Sequence, residues 1–238
     1  MLGVSLGGVG MGLLLWVRPR GHWFSDRIFG TLLLLMSLTL FNNLLAYWGI
    51  SLRNPRLYFL PIYYSLSVGP LVFYLAKTKL YPQLRLHRND LKHFILPFVQ
   101  AALFWWIGLH GTGYKLAVKN TFFSPIYGGF EDWVYTLTTG MYLYFGYRFV
   151  RFEMTSARTR RASRRQILVI GWLKRMIKVL FILFSVHASC LLTDWVSYRI
   201  LDVNLNNKAL FSAMTELSFG AMLGWLNLNA WFAWRRKL

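Results

Sequence analysis

The residues of this chain that could do chemistry are few, and most sit inside long apolar runs. Glu216, His187, Asn42, Asn43, Tyr64, Ser67, Trp106 and Thr138 are the polar and aromatic side chains placed where the surrounding sequence is hydrophobic. Polarity inside a bilayer costs free energy, so such residues read as a ligand pocket before they read as decoration. Glu216 stands out as an acid inside an apolar run, and His187 as a histidine inside another. The competing reading is that Asn and Thr side chains hydrogen-bond between helices and hold a bundle together. Aromatic side chains near the ends of the runs also form the usual interfacial belts. No H-E-x-x-H, no G-x-S-x-G and no glycine-rich loop ending in Lys-Ser/Thr occurs, which removes the common metalloprotease, hydrolase and nucleotide-binding readings. The five histidines are His22, His87, His93, His110 and His187, and they show none of the paired clustering of a di-iron site. Haem needs facing axial ligands, and only His187 lies deep in a run. The last run, Ala209–Trp234, lacks the lysine that a retinal Schiff base requires. Cys190 is the single cysteine, so no internal disulfide or Cys-pair metal motif can form. The expectation is no catalytic residue, no metal and no cofactor.

Positioning these residues falls to the apolar runs themselves. The chain has 238 residues, 56% of them hydrophobic and only 15% charged, whereas soluble domains carry about 25% charged residues. A membrane-crossing helix needs about 20 apolar residues. The runs predict an all-α integral membrane bundle of about seven helices: Leu2–Val17, Ile28–Ile50, Leu57–Ala76, Phe94–Leu109, Trp133–Val150, Val179–Trp195 and Ala209–Trp234. Ser25-Asp26 reads as a cap for the second helix, Gly69-Pro70 as a kink in the third, and Pro97 as a tolerated first-turn proline in the fourth. Gln166–Lys178 reads as an amphipathic lead-in to the sixth. The first helix offers two small-xxx-small pairs, Gly3/Gly7 and Gly8/Gly12, for close approach of a neighbour. Arg18 and Arg20 follow that helix rather than precede it, so it reads as uncleaved and starting outside. No repeat or low-complexity linker divides residues 1–238, which predicts one domain.

Charge sets the orientation. Arg53, Arg56, Lys115, Lys119, Arg199 and Lys208 fall on one side of the runs, and the other 21 of the 27 basic residues fall on the opposite side. The richer side is cytoplasmic by the positive-inside rule. The N-terminus is therefore expected outside and the C-terminus in the cytoplasm. The net charge of +19 would suggest nucleic acid in a soluble chain, but here anionic headgroups are the expected partner. The densest basic stretch includes Arg158, Arg160, Arg161, Arg164 and Arg165 and continues through Lys174, Arg175 and Lys178. The last three are spaced to snorkel to headgroups while Ile and Leu enter the bilayer. An acidic cytoplasmic partner is the alternative.

Stretches from helices two to four carry a family resemblance. They are S-D-R-I-F-G-T-L-L-L-L, F-N-N-L-L-A-Y, P-I-Y-Y-S-L-S-V-G-P-L-V-F-Y-L-A-K-T-K-L and Y-P-Q-L-R-L-H-R-N-D-L-K-H-F-I-L-P-F. Gly69-Pro70, the basic loop and His93-Phe94-x-x-Pro97 carry it best. The chain resembles the membrane sensor region of bacterial AraC-type transcription regulators. That resemblance implies a multi-pass sensor in a bacterial inner membrane. The sequence stops at Arg235-Arg236-Lys237-Leu238, where that family continues into its DNA-binding part, so no direct contact with nucleic acid is expected. The expected function is a stand-alone sensor that binds an external or lipid-borne signal, a protein partner or a second copy. The alternatives are a non-catalytic accessory subunit of a larger membrane complex and, third, a small membrane enzyme or transporter.

Overall fold

A computed structural model describes residues 1–17, 23–84, 87–159, 163–203, 205 and 208–236, with the side chains of residues 125 and 236 outside the description. Arg18, Arg20, His22, Arg85, Arg160, Arg161 and Lys237 lie outside the described residues. The described chain is all-helical, without strands. The long helices are α1 (Leu2–Val17), α2 (Trp23–Tyr47), α4 (Val68–Leu80), α5 (Ile95–Gly108), α7 (Gly128–Thr159), α8 (Arg164–Leu201) and α9 (Ala209–Arg236). Short helices α3 (Ile50–Arg53) and α6 (Thr112–Val118) lie in the connections. Three stretches are long and apolar enough to cross a membrane: Trp23–Tyr47, Arg88–Gly108 and Ala209–Arg235. Helix α1 is apolar but shorter.

Helices α2, α4, α7, α8 and α9 share one core, with Leu33, Met36, Leu75, Leu173 and Leu223 fully buried. Helix α1 straps onto α2 and α9, while α5 sits at the side, chiefly against the turn at Ser65–Ser67 and the segments flanking it. One end of the bundle, the basic end, gathers the basic residues. There Lys79, in the last turn of α4, donates to Asp26, in the first turn of α2, at 2.9 Å. Both residues are buried. Each charge sits where its helix dipole favours it, an acid at an N-terminus and a base at a C-terminus. Nearby, the Tyr74 hydroxyl donates to Asp90 at 2.6 Å and Lys77 donates to the same oxygen at 3.3 Å. That pairing ties the 3-10 turn Arg88–Phe94, which leads into α5, against α4.

The expected boundaries shift in instructive ways. Helix α2 starts at Trp23 rather than Ile28, so Asp26 lies inside the helix instead of capping it. Helix α7 runs 32 residues, well beyond Trp133–Val150 at both ends. The amphipathic lead-in and the apolar run after it form one 38-residue helix, α8. The largest correction concerns the expected helix Leu57–Ala76. Helix α4 begins only at Val68, and residues 54–67 are turns, two of them 3-10: Pro55–Leu57 and Ser65–Ser67. Pro55 and Pro61 explain this, since each lacks an N–H donor and restricts the residue before it. Gly69-Pro70 therefore lies in the first turn of α4, where proline fits, and kinks nothing.

Of the two glycine pairs in α1, Gly8/Gly12 does the packing. A Cβ on Gly8 would overlap Ser37 Oγ, and one on Gly12 would lie 2.9 Å from the Gly30 carbonyl oxygen. A Cβ on Gly30 would lie 2.7 Å from the Gly12 oxygen and 2.8 Å from Trp16. By contrast, Gly3 faces open space. The α1–α2 crossing is thus backbone against backbone, which small residues alone permit. Gly30→Ala is expected to cost about 1–3 kcal/mol by overpacking, and Gly3→Ala nothing measurable. Thermal unfolding of the two purified variants checks the pair.

Candidate functional site

The break in the third long stretch creates the site. Backbone groups freed from a helix must find other partners, most stringently away from water. Phe59 turns the chain in the left-handed region, φ 55°, which is strained for a bulky residue and worth asking about functionally. Its ring packs on Phe104 and Phe123 at 5.8 and 5.1 Å between centroids. Beyond it, the Tyr64 hydroxyl donates to Pro61 O at 2.5 Å, and Ser67 Oγ donates to Tyr64 O at 2.6 Å. Thr39 of α2 accepts the Tyr64 N–H at 3.0 Å.

Gln100 of α5 completes the arrangement. Its Oε1 accepts the Leu66 N–H at 3.1 Å, and its Nε2 donates to Ser65 Oγ at 2.8 Å and to Glu131 Oε1. Ser65 Oγ also reaches Glu131 Oε1 at 3.4 Å. Gln100 is 1% exposed and Glu131 3%, so this polar node is sealed. Glu131 occupies the first turn of α7, where a carboxylate complements the helix dipole. Ser65, Gln100 and Glu131 thus join the unwound stretch, α5 and α7 in one set of hydrogen bonds.

The residues singled out from sequence divide among several places. Glu216 and Asn43 come together, their side chains close enough to interact, and Glu216 Oε2 has no partner among the described residues. Asn42 is half-buried beside them in sequence. His187 sits against α9 instead, its Nδ1 2.8 Å from Ser218 Oγ. Ser218 donates its own proton to Thr215 O at 2.7 Å, so His187 Nδ1 is assigned as the donor. The His187 ring also meets Tyr135 edge-on. Tyr64 and Ser67 belong to the unwound stretch. Thr138 bonds its own helix through Val134 O and lines a groove beside α4 and α5. Trp106 is 62% exposed and faces away from the bundle. The eight residues do not enclose one pocket.

Glu131 is the buried member of the node that the apolar runs conceal. It lies two positions before the expected start of its helix and reads there as a loop acid. The signal was present in Gly128-Gly129 followed by an acid, a helix start with its charge in the first turn.

At the basic end, Arg158, Arg164, Arg165, Arg175 and Lys178 are exposed and Lys174 is half-buried. Arg164, Arg175 and Lys178 share one stripe of α8 with Leu168 and, further on, Ile182 and Val186, all three of them exposed. On α7 the exposed face changes from Met141, Tyr144 and Phe145 to Arg148, Arg151 and Arg158, with Phe152 exposed among the arginines. Gly146 lies against Ile177, so the apolar-to-basic change falls at one level on both helices. Among the described residues no cluster of three or more His, Cys, Asp or Glu could hold a metal. Compared with family models, curated proteins and solved structures, the chain matches none.

Proposed function

We propose that the chain crosses a bacterial inner membrane seven times, N-terminus outside and basic end in the cytoplasm, and works as a non-catalytic sensor. Depth supports the crossing. Lys178 and Arg199 bracket the apolar part of α8, and their 21 intervening steps at about 1.5 Å each span about 31 Å. A bilayer's hydrocarbon core is about 30 Å thick. The excess of Lys and Arg at the basic end supports the orientation, and anionic headgroups are its natural partner. The resemblance to AraC-type sensor regions points the same way.

One observation carries the sensor reading. Glu131, buried in the node that holds the unwound stretch, lies in the first turn of the same unbroken helix that runs to Thr159 at the basic end. A change at the node therefore has a rigid element through which to reach the cytoplasmic side. The test uses spin labels at Thr159 and Gln83 in a Cys190→Ser background. Glu131→Gln is expected to move the α7 end by about 1–2 Å, the scale of helix shifts in switching proteins. Superimposable distance distributions from folded wild type, Glu131→Gln and Ser65→Ala would overturn the reading.

A second reading has its own support. Only 17% of the apolar window containing α5 is buried, and Phe98, Trp105 and Trp106 face outward. An accessory subunit would cover such a face with a neighbour. Co-purification of another protein at a fixed ratio is the result expected of that reading, and a clean monomer or homo-oligomer removes it.

A further inference from the structure

A groove of about 280 Å³ opens sideways between α5 and α7, with α4 as its floor. Its walls are apolar: Leu66, Pro70, Leu96, Pro97, Met141 and Phe145. One end is polar and cationic, lined by Lys92, His93 and Tyr142. Lys92 is exposed, and no carboxylate lies within ion-pair distance of it among the described residues. His93 Nδ1 and the Tyr142 hydroxyl are hydrogen-bonded to each other at 2.8 Å, which fixes the floor of that end. Phe145 precedes Arg148 by three residues, about 4.5 Å along α7, so the cationic mouth lies just inside the level where the exposed face turns basic. A ligand arriving from the bilayer would meet the mouth with its head and the trough with its tail. The volume of about 280 Å³ falls just below the ligand-pocket range of about 300–1,000 Å³, which suits one chain rather than two.

We propose that this groove binds a single-chain anionic amphiphile of the fatty-acid class, its chain in the apolar trough and its carboxylate on Lys92. The far end of the trough meets the node. The Leu66 side chain lines the groove while its N–H is held by Gln100, and Gln100 follows Leu96 by one turn on α5. An occupant would thus press on the residue that the node grips. The proposal deepens the sensor reading and rests on it only for this last link.

The experiment photolabels the purified full chain in zwitterionic nanodiscs with palmitic acid carrying a diazirine on its chain. Adducts are expected on the peptides holding Leu96-Pro97 and Met141–Phe145, competed by palmitate. Lys92→Gln should cut labelling at limiting probe about tenfold, and Lys92→Arg should keep it. Met141→Trp and, independently, Leu96→Trp should abolish it in folded protein. The corresponding diazirine alcohol should label wild type no better than the acid labels Lys92→Gln. Adducts spread evenly over the exposed faces of α2 and α9, or competed by a two-chain phospholipid and not by palmitate, would overturn the proposal. Adding palmitate to the spin-labelled protein separates the two ideas. Labelling in the groove without movement of α7 removes the link between groove and node and leaves the groove. Movement in Glu131→Gln without groove labelling does the reverse.

Discussion

Asp26→Asn is expected to destabilise the folded chain by about 3–5 kcal/mol, the usual cost of removing one partner from a buried ion pair. The pair joins the first turn of α2 to the last turn of α4 across 53 residues of sequence. Lys79 is 8% exposed, so without the carboxylate its ammonium loses a charged acceptor where water cannot fully replace it. The same reasoning gives a second outcome. Changing both residues to apolar ones of similar volume, Asp26→Leu with Lys79→Met, should recover most of the loss, because neither charge then has to be desolvated. Unfolding midpoints of the single and double variants in one detergent form the cycle. A single variant within about 1 kcal/mol of wild type would place the pair among those that contribute little.

Gln100→Leu has the next largest expected effect. The leucine fills similar space but leaves two buried groups short of partners: the Leu66 N–H and the Glu131 carboxyl. Each buried group left unsatisfied costs about 1–3 kcal/mol, and more for a charged one. A loss of about 2–6 kcal/mol follows. Glu131→Met should cost less, although it removes the acid itself. The acid is the group whose burial is expensive, and Gln100 keeps both Ser65 and the Leu66 N–H without it. The order of the two variants in thermal unfolding is the decisive reading. If Glu131→Met is the more damaging, the carboxyl holds the node and the amide follows it.

Much of the bundle could be read from hydropathy. Helix α9 was expected over Ala209–Trp234 and runs Ala209–Arg236, because Lys208 and Arg235 bracket a single apolar run. Helix α5 falls within one residue of its expected ends. Hydropathy failed where backbone chemistry overrides it. Residues 57–67 are as apolar and aromatic as a crossing helix, yet Pro61 and the bonds offered by Thr39 and Gln100 give the chain a better alternative. It also failed at α8, where basic side chains change the surroundings of the helix without breaking a backbone hydrogen bond. The site was half legible. Asn43 and Glu216 were both singled out and do meet. The Ser65–Gln100–Glu131 node depends on partners 31 to 66 residues apart, a pairing that no local pattern encodes.

The unwound stretch also dictates when this protein can be finished during its own synthesis. A regular helix satisfies its backbone as it leaves the ribosome and can enter the bilayer on its own. Residues 54–67 cannot, because the Leu66 N–H waits for Gln100, which is made 34 residues later. At about 5–20 residues per second that is a delay of about 2–7 s. In the proposed seven-crossing topology, the half-made third crossing has no lipid-compatible form through that interval. That topology would keep it beside the insertion machinery, with α5 threaded before its predecessor is released.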